Sequence, residues 1–180
     1  MDLKNIASLS FFLPEIILSA TILLLIVLDL LARSKDVLGP IAAIGCVVAL
    51  IATFDLSYND QSGLLFHRMI VLDRFSLFFK IFALAATILT IWMSLGNDEI
   101  KQVHQGEFYT LLLTCALGMF FMASASNLLM AYLSLELVSL TSYVLTGFLP
   151  HNRRSSEAAL KYFIYGGVAS GTMIYGMSWI

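Results

Sequence analysis

Residues 127–149 read NLLMAYLSLELVSLTSYVLTGFL. A hydrocarbon core takes about 20 apolar residues of helix, and this stretch is long enough to span it while carrying one carboxylate, Glu136. Glu136 lies nine residues after Asn127 and thirteen before Leu149, roughly 14 Å and 20 Å from the two ends of a helix. An ionised group at mid-depth costs at least about 2.5–3.5 kcal/mol, so the side chain has to face protein or water. Helical phase puts Tyr132, Ser139, Tyr143 and Thr146 on its side, within about 80° of it. The opposite side offers Leu133, Leu135, Leu137 and Val138, with Ser134 and Thr141 able to bond back to the helix's own carbonyls. The functional reading is a proton-exchanging carboxylate; the alternative is a permanently protonated acid held for packing.

The rest of the chain agrees with a membrane setting. Of 180 residues, 59% are hydrophobic and 12% charged, and the mean hydropathy is +0.89. A soluble domain of this size cannot bury that much apolar surface. The formal net charge of -2 supplies no basic field for nucleic acid. The fold class expected is all-α, a polytopic bundle with helices at about 11–32, 38–54, 75–95, 108–125, 127–149 and 156–180. Ser57–Leu72 is the longest connector on its side and alternates weakly, as a short surface hairpin does. The last segment is still apolar at Ile180, so the chain is expected to be the N-terminal part of a longer protein or a truncated product. Cys46 and Cys115 lie in apolar runs and read as small hydrophobes. His67, His104 and His151 fall in polar connectors, and no metal, phosphate-loop or nucleophile motif appears.

Other charges have ordinary readings. Pro14 and Glu15 suit the first turn of helix one. Asp29 reads as an interfacial acid, and Lys80 as a lysine snorkelling to the outer end of helix three. Lys161 sits roughly 8 Å inside a helix begun near Ser156, with Ser155 or Ser156 as its cap. Glu157 precedes it at i−4, a favourable pairing order. Its two readings, proton carrier and snorkelling partner of Glu157, stay open on these residues. Arg33, Lys35, Lys101, Arg153 and Arg154 lie on one side, against Lys4, Arg68 and Arg74 on the other, which places the N-terminus outside. Gly166, Gly167, Ser170 and Gly171 form two interleaved small-xxx-small pairs, a helix-packing face.

Residues 135–148, LELVSLTSYVLTGF, resemble helix five of the antiporter-like membrane subunits of respiratory complex I. SSEAALKYF at 155–163 and VLDRFSLFFK at 71–80 resemble the subunit N branch of that family, as does Leu13-Pro14-Glu15. The resemblance implies a proton-translocating NADH:quinone oxidoreductase subunit in the inner (plasma) membrane, with roughly fourteen helices arranged around inverted repeats. It implies that Glu136 and Lys161 carry proton translocation, with a lysine on a broken seventh helix absent from this sequence. Tyr132, Ser139, Tyr143 and Tyr165 are the weaker, water-ordering candidates. No cofactor is expected in this chain; NADH, FMN, iron–sulfur clusters and quinone belong to partner subunits, and the partners are other membrane-arm subunits and lipid. A multisubunit cation/proton antiporter or a membrane-bound hydrogenase subunit is the alternative.

Overall fold

The structure, a computed structural model, describes residues 11–31, 35–59, 62–66, 68–97, 105–149 and 152–180. These form α1 (Leu13–Leu31), α2 (Leu38–Tyr58), β1 (Gly63–Leu65), β2 (Ile70–Leu72), α3 (Arg74–Leu95), α4 (Gln105–Ser124), α5 (Leu128–Thr146) and α6 (Arg153–Met177). All six expected helices are present, and the weak alternation of residues 57–72 becomes an antiparallel pair with Leu64 opposite Val71. The three histidines lie outside the described residues.

Local chemistry fixes several ends. Asp73 opens α3 with a reciprocal cap: its carboxylate accepts from Ser76 N at 2.7 Å, and Ser76 Oγ accepts from Asp73 N at 3.0 Å. Asn127 caps α5 through Met130 N at 2.7 Å. The last helix departs from expectation. Asn152, not Ser155 or Ser156, is its cap, accepting from Arg154 N at 3.0 Å. An Asn side chain positioned before two arginines satisfies the first orphan donors earlier than the serines can. Ser155 Oγ instead donates to Thr146 O at 2.8 Å, tying the start of α6 to the end of α5.

Helices α1 to α5 are long and apolar enough to cross a membrane. α6, which the sequence reads as a sixth span, does not meet that standard. The core lies among α1–α4, where Leu18 and Leu25, Ala42, Cys46 and Ala49, Leu84 and Ile91, and Leu113 and Phe120 are buried at helical spacing. The outward faces carry exposed Leu24, Ile44, Phe82 and Trp92, as expected where the surroundings are lipid. α4 is central, meeting α1, α2 and α3 on one side and α5 on the other, while α6 lies against α5.

The hairpin defines one end of the bundle. Ile70 bridges Ala125, and Ser126 N donates to Met69 O at 3.0 Å, so the hairpin sits over the α4–α5 turn. Phe12 meets Phe66 and Phe121 there, bringing the start of α1 to the same end.

Candidate proton-handling site

α5 lies between two helices and presents a different chemistry to each. Toward α4 it buries Ser134 and Thr141. Their hydroxyls donate to Met130 O at 2.6 Å and Leu137 O at 2.8 Å, so neither leaves a polar atom unpaired. Gly118 of α4 makes the close approach possible: a Cβ there would stand 2.8 Å from Val138 Cγ2 and 3.2 Å from Val138 N. The side opposite Glu136 is therefore a helix–helix contact that absorbs both hydroxyls.

Toward α6 the contacts are polar and aromatic. Tyr132 and Ser170 hydroxyls are 3.1 Å apart. Ser142 Oγ donates to Tyr162 Oη at 3.2 Å. Tyr143 is buried, packs edge-on against Tyr162 and Phe163, and rests on Gly166, where a Cβ would overlap its hydroxyl. The expected small-residue face divides accordingly: Gly166 and Ser170 meet α5, while a Cβ added at Gly167 or Gly171 would meet nothing within 4 Å.

Glu136 falls between Tyr132 and Tyr143 on this seam and is half-buried. Its Oε1 is fully enclosed and has no hydrogen-bond partner. A buried polar oxygen left this way calls for a proton, water or a further chain segment. Ser139 shares the face, its carbonyl accepting from Ser142 Oγ at 2.8 Å.

Lys161 is not at that carboxylate. The Tyr143–Tyr162 contact sets Tyr162 beside Tyr143, seven residues or about 10 Å along α5 from Glu136. Lys161 Nζ lies 2.6 Å from Glu157 Oε1, with both side chains largely exposed. Tyr165, 77% exposed, is on the open side of α6 and does not join the Glu136 seam.

One charged group departs from its reading, and a second, placed in the first turn as expected, has a partner the sequence does not show. Lys80 does not snorkel: it is 1% exposed and lies 2.5 Å from Glu15 Oε1. Glu15 is completely buried and ion-paired, which goes beyond complementing the helix end. The missed signal was the face on which Lys80 sits: Ser76, Leu84, Thr87 and Ile91, spaced three, four and seven from one another or from Lys80, are all buried. Asp29 pairs with Lys35 at 3.0 Å, in keeping with a place near the helix end.

Five helices able to cross a membrane, with a buried carboxylate in the bundle and another on the α5–α6 seam, define a class: polytopic membrane proteins with intramembrane acids. Residues 125–180 match the family described as NADH:quinone oxidoreductase/Mrp antiporter, TM. The chain is 45% identical over 188 residues to NADH-quinone oxidoreductase subunit N 2 of Sorangium cellulosum, covering 99% of this chain and 37% of that protein. Subunit N of Chlorobium chlorochromatii is 42% identical, over 97% of this chain and 34% of its own length. The solved structure of respiratory complex I from Thermus thermophilus with bound aureothin superposes with a TM-score of 0.78 at 27% identity, over 92% of this chain and 35% of that one. The archaeal membrane-bound sulfane sulfur reductase shares the fold, with a TM-score of 0.79 at 15% identity over 93% of this chain and 36% of that one. Along nearly its whole length the chain is similar to NADH-quinone oxidoreductase subunit N, and it spans a little over a third of the length of the relatives it matches.

Proposed function

We propose that the protein containing this chain translocates protons in the membrane arm of an NADH:quinone oxidoreductase, driven by electron transfer in partner subunits. The observation that carries the reading is the enclosed, unpartnered Oε1 of Glu136 at mid-helix, between two tyrosines on the α5–α6 seam. A carboxylate in that setting changes its proton affinity steeply when a cation approaches or leaves. Glu136 thereby holds a proton in one state and gives it up in another. Lys161, about 10 Å away along the helices, acts through water or a further basic group, not by direct contact. Tyr132, Ser139 and Tyr143 border the carboxylate and order water beside it; Tyr165 would do so only from the open side of α6.

NADH, FMN, iron–sulfur clusters and quinone are assigned to partner subunits. The hairpin end, with the N-terminus, faces outside the inner membrane, as the five-to-three loop charge count supports. A cation/proton antiporter or membrane-bound hydrogenase subunit is the second reading, favoured by the breadth of the matched family and by the fold shared with the sulfane sulfur reductase.

The test is Glu136→Gln in the full-length protein within its assembled complex in vesicles. Proton uptake and NADH oxidation are measured together. Loss of pumping with an assembled complex is expected; normal pumping and turnover would make Glu136 a packing residue and overturn the mechanism.

A further inference from the structure

We propose that Glu15 and Lys80 form a second proton-holding site, separate from Glu136, that exchanges with the aqueous phase at the hairpin end of the bundle. The inference rests on the proton-translocating reading above and extends it to helices that the Glu136 mechanism does not use. Glu15 is 0% and Lys80 1% exposed, so both side chains are enclosed within this chain. Lys80 Nζ approaches Oε1 at 2.5 Å, yet neither carboxylate oxygen of Glu15 has a hydrogen-bond partner. The pair is close but poorly coordinated.

A purely structural ion pair needs its remaining lone pairs and protons satisfied, because burial costs several kcal/mol per ion otherwise. Here the neighbouring hydroxyls do not help. Ser76 Oγ donates to Asp73 O at 2.9 Å, and Ser124 Oγ to Phe120 O at 2.6 Å. Oε2 is free to take a proton. Loading would move one hydronium proton to the carboxylate, leaving a carboxylic acid beside an ammonium, a high-energy state that the coupled electron transfer would have to drive; release returns the proton to water. The added positive charge has a partner in the Phe120 ring, whose centroid is 5.7 Å from Lys80 Nζ.

Among the described residues of this half, Arg74 at the start of α3 has an interaction of its own, and the other ionisable groups are these. On α2 the ionisable groups of this half, Asp55 and Tyr58, are exposed. On α4 no ionisable side chain follows Cys115. Asp73, before α3, is engaged in its cap. Glu15 and Lys80 lie two and six residues into their helices, about 3 Å and 9 Å from the hairpin end. Glu136 is eight residues past Leu128 from that same end, about 12 Å deep, on the far side of α4. The pair thus lies nearer the aqueous boundary than Glu136 does.

The experiment uses the full-length protein in its complex, in vesicles, with the neutral double variant Glu15→Gln/Lys80→Met. It removes both titratable groups without stranding either charge. The expected result is an assembled complex that oxidises NADH but moves fewer protons per electron pair. Wild-type pumping would overturn the proposal. Infrared difference spectra on a pH step supply a second readout that does not need the double variant to assemble. A buried carboxyl C=O band that shifts in Glu15→Asp is expected, and its absence would also overturn the proposal. If Glu136→Gln stops pumping and the double variant does not, the second site falls while the proposed function stands. If Glu136→Gln leaves pumping intact, the proposed function falls, and the infrared band still decides whether Glu15 holds a proton.

Discussion

Removing one member of the Glu15–Lys80 pair should destabilise the bundle far more than removing both. At 2.5 Å and an effective dielectric of about 20, the attraction between the two charges is about 7 kcal/mol. Desolvating each ion costs several kcal/mol, so the net worth of the intact pair is small. Lys80→Met alone strands a carboxylate that is 0% exposed, and Glu15→Gln alone strands an ammonium that is 1% exposed. Each single change should cost about 3–5 kcal/mol, whereas the double change to neutral groups of similar volume should be near neutral. The coupling energy between the two sites is then about 6–10 kcal/mol in magnitude. The assay is unfolding of the purified full-length protein in mixed micelles titrated with sodium dodecyl sulfate, followed by far-UV circular dichroism. Single variants costing less than about 1 kcal/mol, or a double variant as damaged as the two singles combined, would refute the argument that the pair is buried and isolated.

Two further outcomes follow from the α5 contacts. Gly118→Leu would drive a side chain into Val138, where even a Cβ stands 2.8 Å from Cγ2 and 3.2 Å from the backbone nitrogen; a loss of about 1–3 kcal/mol in the same unfolding titration is expected, and an unchanged midpoint would deny the close α4–α5 approach. Lys161→Ala should leave stability within about 0.5 kcal/mol, because the pair with Glu157 is exposed, while lowering proton pumping; undiminished pumping would reduce Lys161 to a tether for Glu157.

Much of the architecture was legible because hydropathy over long windows depends on composition and not on neighbours. The six helices, the hairpin and the placement of Glu136 at mid-depth all follow from that. Helical phase also placed Tyr132 and Tyr143 on the Glu136 face, and both meet α6 there. Helix starts were less legible: Asn152 competes with Ser155 and Ser156 for the same role, and the choice depends on Ser155 bonding to Thr146 O. Lys80 was misjudged because six residues of helix leave its side chain within reach of the aqueous boundary on length alone. Glu15 lies on a different helix, and no local pattern marks the two as partners.

The sequence by itself determined that this chain lives in lipid, in which order its helices run, and that one of them carries a carboxyl group at mid-depth, since each of these depends on transfer free energies summed along a segment. Only the tertiary structure decided which charges are buried together. Glu15 and Lys80 are sixty-five positions apart, and their meeting depends on how α1 and α3 pack around α4. Electrostatic energy falls with distance in space, and that distance is set by packing alone.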